Sequence, residues 1–134
     1  GGLRDMVNAA GLEGYVHYLG YVPTSDLPGL LSLATVFAFP SLYEGFGLPA
    51  AEAMACGAAI LTSRNTAMAE ICGDAAHLID PYSVDDITAG LGQLLDDPEL
   101  RHCLRRRGPQ QARLYSWERA AVETIAIYRQ VLGQ

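Results

Sequence analysis

The 134-residue chain carries a formal net charge of −6, half of its residues are apolar and 18% are charged. That is the composition of one globular unit, long enough for one core and too short for two, and it excludes a largely disordered chain. The acidic balance argues against a nucleic-acid partner, and no apolar run reaches the about 20 residues that span a bilayer.

The opening Gly1-Gly2-Leu3-Arg4-Asp5-Met6 lacks a start methionine and reads as a helix already under way, the mark of a piece cut from something longer. Apolar runs rich in β-formers follow at residues 15–19, 36–39, 58–62 and 75–79, with helical patterns between most of them. Nearly every position in these runs is apolar, as in parallel strands covered on both faces. The expected fold class is therefore α/β: a partial Rossmann-like parallel sheet of about four strands flanked by helices, with an all-helical C-terminal segment.

The first connecting helix is expected over residues 25–34, with Leu27, Leu30, Leu31 and Ala34 on one stripe and Thr24 or Ser25 as its cap. The second runs from Leu48 to about Cys56, with Pro49 in its first turn and Gly57 after its end. A loop and a short helical turn are expected between Arg64 and Gly73. Beyond Pro81 only helices remain, starting at Ser83, at Asp97-Pro98 and at Ser116. The last carries Trp117, Ala120, Ala121, Thr124, Ile125, Tyr128, Val131 and Leu132 on one face, which must pack on something. The basic cluster over residues 101–113 reads as a solvated helix face. Cys56, Cys72 and Cys103 are odd in number and match no CxxC or zinc spacing, so free thiols in a reducing compartment are expected, with no metal role.

In an open parallel sheet, ligands bind beyond the carboxyl ends of the strands. Of the four segments in that position, the one over residues 40–48 is the outlier, with Glu44, Gly45, Gly47 and a helix start, followed by Glu52 one turn inside. The glycines permit unusual backbone and clear the way to main-chain N–H groups, and a helix start offers unpaired donors and a partial positive charge that bind phosphate. Ionised carboxylates accept only, so Glu44 and Glu52 suit hydroxyls at either end of such a phosphate site. Taken singly, a loop glutamate, a helix glutamate, turn glycines and a core-type Phe46 are ordinary features. The residues alone support an anion- or nucleotide-binding α/β domain.

The segment SLYEGFGLPAAEAMACGAAILTS resembles the E-x7-E signature of the family 4 (group 1) retaining glycosyltransferases of the GT-B fold. VHYLGYVPTSDLPGLLSLATVFAFPS upstream, and AEICGDAAHLIDP and YSWERAAVETIAIYRQVL downstream, are similar to the same family's C-terminal donor domain. The resemblance implies that residues 1–134 are a nucleotide-sugar-binding domain, incomplete at its N-terminal side and half of a GT-B donor domain. It implies that Glu44 is catalytic, against the donor sugar near the reacting carbon. Gly45 belongs to the same donor-binding loop, Phe46 and Gly47 offer N–H groups to sugar hydroxyls or the diphosphate, and Leu48 offers its N–H to phosphate. Glu52 holds the ribose hydroxyls, and Tyr21 and Val22 match the loop that contacts the base.

The implied activity is metal-independent and retaining hexosyl transfer from a nucleoside-diphosphate sugar, the substrate, to an acceptor hydroxyl, with no cofactor. Asp85-Asp86 and Asp96-Asp97 read as helix-start residues rather than a metal pair. The acceptor is a glycan, lipid or small molecule held by a preceding domain that this chain lacks. Peripheral membrane association is expected only through that domain, and the location is cytoplasmic. The family's Arg- and Lys-bearing strand and helix that neutralise the diphosphate are also absent, Ala69 replaces a usual proline and Thr35 a usual acidic residue. A second reading is therefore a non-catalytic donor-domain fragment that binds nucleotide or merely folds and associates; a GT-B epimerase or phosphorylase is a third. The absent strands also predict an unpaired sheet edge and an uncovered apolar surface.

Overall fold

A computed structural model describes residues 2–133. Its elements run α1 (Leu3–Ala9), α2 (Leu27–Leu33), β1 (Phe37–Phe39), α3 (Leu48–Ala55), β2 (Ile60–Ser63), α4 (Ala67–Cys72), β3 (Ala76–Ile79), α5 (Val84–Asp96), α6 (Pro98–Ala112) and α7 (Trp117–Leu132). Short 3₁₀ turns at Gly73–Ala75 and Arg113–Tyr115 precede β3 and α7. The three strands form one parallel sheet in the order β1-β2-β3, with Ile60 opposite Phe37 on one side and Ala76 on the other.

All four residues of β2 are buried, because helices cover both faces of the sheet and leave no polar side to alternate with. Successive residues of a strand point to opposite faces. Ile60 accordingly joins Leu31, Ala50, Met54, Met68 and Ile71 in one core layer, while its neighbour Leu61 joins Ile79, Leu94 and Leu104 in the other. The α/β class, the parallel sheet and the helical C-terminal segment are as expected.

Helix starts follow local chemistry. Thr66, Ser83, Asp97 and Ser116 each precede a helix and accept the N–H of Met68, Asp86, Leu100 and Arg119 respectively, each bond being worth about 1 kcal/mol. Helix α3 ends at Ala55, and Gly57 follows with φ +70°, the left-handed conformation that lets the chain leave the helix.

Four expectations are corrected. The sheet has three strands rather than about four, because residues 15–19 lie outside it. A strand exists only where a neighbouring strand takes its N–H and C=O groups; here the Tyr15 and Val16 N–H groups turn back to the Leu12 carbonyl, and Tyr15 and Leu19 are exposed. The outer edge of β1 is likewise unpaired among them. Helix α2 begins at Leu27 after Asp26, not after a Thr24 or Ser25 cap; the Ser25 hydroxyl instead donates to the Asp26 carboxylate. Helix α7 buries none of its residues, because its first turns face α3 only across an open cleft; Trp117 and Val131 are both 79% exposed.

The basic cluster is not a plain solvated face. Arg101 donates to the Leu94 and Leu95 carbonyls, Arg105 to those of Ser32 and Ala34, and Arg107 to that of Asp74. Carbonyls in the last turn of a helix lack intrahelical partners, and a guanidinium fork supplies them. Arg101 and Arg105 of α6 thus tie it to the ends of α5 and α2. No helix among the described residues is long and apolar enough to cross a membrane.

Candidate functional site

Beyond Phe39 the chain leaves the sheet at its carboxyl edge, turns over residues 40–47 and enters α3. Ser41 Oγ lies 3.2 Å from Glu44 Oε1 and 3.0 Å from the Tyr43 carbonyl, so half-buried Glu44 is held against its own turn. Gly47 precedes the helix with φ +91°, a conformation that L side chains rarely adopt. Its carbonyl accepts the N–H groups of Ala50 and Ala51 at 3.0 and 3.2 Å.

The N–H groups of Phe46, Gly47 and Leu48 donate to no acceptor among the described residues, and Pro49 has none to donate. Three donors, the positive end of a helix and no side chain on Gly47 make this corner receptive to an anion. Gly45 is exposed in the turn.

Glu52, one turn into α3, opens on a cleft of about 850 Å³ with Phe46, Leu48, Tyr115, Trp117 and Arg119 on its walls. Phe46 meets Tyr115 edge to face at 5.6 Å. Arg119 is paired with Glu123 at 2.6 Å, and that hydrogen bond raises its guanidinium pKa. The structure thus gathers Phe46, Leu48 and Glu52 on one cleft; Glu44 is not part of its wall. Tyr115, Trp117 and Arg119 carry no local signal of a site; tertiary packing alone brings them to α3.

Tyr21 and Val22 lie in an irregular stretch ahead of α2, Tyr21 exposed and Val22 half-buried, and no hydrogen bond or ring contact joins them to the Glu44–Glu52 segment. At the end of β2, Arg64 pairs with Asp86, whose carboxylate also accepts the Asp80 N–H at 2.6 Å. Asp85 and Asp86 occupy the first turn of α5 and Asp97 caps α6, whereas Asp96 ends α5. Among the described residues, no three His, Cys, Asp or Glu side chains are grouped to hold a metal ion.

The family described as glycosyl transferases group 1 matches residues 2–111. O-antigen chain mannosyltransferase B of Escherichia coli is 44% identical over 127 residues, covering 95% of this chain and 33% of that protein. MMP alpha-(1->4)-mannosyltransferase of Mycolicibacterium hassiacum is 38% identical, covering 100% of this chain and 34% of its own. Sucrose-phosphate synthase from Thermosynechococcus elongatus superposes with a TM-score of 0.88 at 27% identity, over 98% of this chain and 34% of that one. The chain spans about a third of the length of these two mannosyltransferases.

Proposed function

We propose, from the premise that this chain belongs to the glycosyl transferases group 1 family, that it is the donor-binding part of a retaining, GT-B, family 4 glycosyltransferase. The observation that carries the reading is the corner before α3. Its free Phe46, Gly47 and Leu48 N–H groups suit a diphosphate, and Glu44 and Glu52 on either side suit the hydroxyls of a sugar and a ribose. A phosphate centre flanked by hydroxyl acceptors matches a nucleoside-diphosphate sugar. Because two relatives are mannosyltransferases, mannose is the sugar proposed.

In a longer polypeptide that also holds the acceptor, the bond from the anomeric carbon to the diphosphate oxygen breaks as the acceptor oxygen attacks the same face. The acceptor proton passes to the departing phosphate. Glu44 positions the sugar through a ring hydroxyl and favours the positive charge that develops on it, while the N–H groups take the charge growing on the diphosphate. Glu52 anchors the ribose, and Tyr21 and Val22 approach the base. Metal and cofactor play no part in this proposal, and the acceptor is a glycan, lipid or small molecule.

The test is calorimetric titration of the full-length polypeptide carrying this segment with GDP-mannose, UDP-glucose and ADP-glucose. Binding of GDP-mannose, with competition by GDP, is the expected result; binding of UDP-glucose or ADP-glucose in its place would overturn the choice of mannose. Absence of binding by all three would overturn the proposal and leave the non-catalytic reading.

A further inference from the structure

Thr62 and Ser63, the last two residues of β2, are the only buried polar side chains among the described residues, and both are completely covered. A strand covered on both faces is well served by apolar residues, and each buried hydroxyl is costly unless it is hydrogen-bonded. Both hydroxyls are spent on the backbone that leads to Glu44. Thr62 Oγ1 donates to the Phe39 carbonyl at 2.8 Å, and Ser63 Oγ donates to the Ser41 carbonyl at 2.6 Å.

The β1–β2 ladder ends at the pair Phe39–Thr62. Ser63 therefore carries the attachment of the outgoing chain to the sheet past the point where backbone pairing stops. The residue it holds, Ser41, is the one whose own hydroxyl reaches Glu44 Oε1 at 3.2 Å. The chain of contacts runs from the covered centre of the sheet, through Ser63 and Ser41, to the carboxylate.

We infer that Ser63 is a positioning residue for Glu44, acting through the Ser41 backbone; this rests on the role proposed above for Glu44. Without its hydroxyl, the Ser41 carbonyl loses its partner in the sheet, the turn over residues 40–44 keeps, towards the sheet, only the local bond of the Ser41 N–H to the Phe39 carbonyl at 2.9 Å, and the carboxylate drifts from its place beside the sugar. A displacement of the order of 1 Å is enough to cost a large part of the rate while leaving the donor bound by other groups.

The experiment is a double-mutant cycle in the full-length polypeptide, reading nucleoside diphosphate released from GDP-mannose, UDP-glucose or ADP-glucose with water taking the sugar as acceptor. Ser63→Ala is expected to lower kcat by about tenfold or more with the donor KM within about threefold. In the Glu44→Gln background the same change should lower kcat by less than about twofold, because the carboxylate it positions is already gone. Ser63→Thr, which keeps a hydroxyl, should restore most of the rate. Should Ser63→Ala fail to fold, Ser63→Cys, similar in size but a weak donor, takes its place in the cycle. Equal losses in the two backgrounds, with an active wild type, would mean that Ser63 supports only the fold and would overturn the inference alone. A wild type that releases nucleoside diphosphate from none of the three donors would overturn the Glu44 reading and the inference with it.

Discussion

Gly47 and Met68 leave no room between them for a side chain: a Cβ on Gly47 would stand 1.8 Å from Met68 Cε and 2.5 Å from its sulfur. Met68 is completely buried in α4, so the thioether closes the floor beneath the turn that carries the anion-receptive corner. The pair links the turn before α3 to the core layer that also contains Ile60 and Met54.

Gly47→Ala is expected to be costly chiefly through the left-handed backbone, with a smaller cost for turning the flexible Met68 thioether aside. The backbone strain alone costs about 1–3 kcal/mol. Urea denaturation should register the loss, and donor titration should show weakened binding. Adding Met68→Ala removes the collision but not the φ of +91°, so stability should not return to the wild-type value.

The two carboxylates are expected to separate kinetically. Glu44→Gln in the full-length polypeptide should reduce kcat by about tenfold or more with donor affinity little changed, whereas Glu52→Gln should mainly raise the donor Kd. The reverse ranking would mean that the sugar and ribose roles are exchanged between them.

Helix packing offers a paired test of stability. A Cβ on Gly108 of α6 would lie 2.9 Å from the Met54 carbonyl oxygen and 3.3 Å from Met54 Cα, both backbone atoms that cannot rotate aside. Gly108→Ala should push α6 from α3 and cost about 1–3 kcal/mol. Gly92 of α5 meets nothing within 4 Å, so Gly92→Ala should raise stability by about 0.5–1 kcal/mol through helix propensity. Urea midpoints for both variants check the contrast.

Burial pushes the Cys72 thiol up from 9.0 to about 11. The folded state then holds its proton where the unfolded chain has released it, so this contribution to stability is complete below pH 9 and is lost as pH rises towards 11. Denaturation midpoints between pH 8 and about 11 should fall more steeply for the wild type than for Cys72→Ala, which has no thiol to titrate there. At pH 8, Cys72 should react with a thiol reagent only on unfolding.

Much of the chain was legible because its determinants are local. Ser83, Asp97 and Ser116 mark their helices by side chains that reach an N–H three residues on, and Gly57 marks the end of α3 by its own φ. The wholly apolar run within residues 58–62 announced a strand covered on both faces, and β2 is one. The glycines around Phe46 likewise announced a turn into a helix start.

What escaped depends on partners far along the chain. Residues 15–19 have strand composition but no neighbouring strand, and the α7 stripe has an apolar period but buries none of its residues. Arg105 and Arg107 of α6 read as solvated because their acceptors, the carbonyls of Ser32, Ala34 and Asp74, lie far along the chain. Sequence by itself determined the α/β rhythm, the caps of the last three helices and the Glu44–Glu52 segment, since backbone sterics and first-turn hydrogen bonds act within a few residues. Only the tertiary structure decided that Met68 underlies Gly47, that Ser63 holds the Ser41 turn and that Tyr115 walls the Glu52 cleft. Those contacts arise when the sheet and helices close on a common core, and their positions carry no local signature.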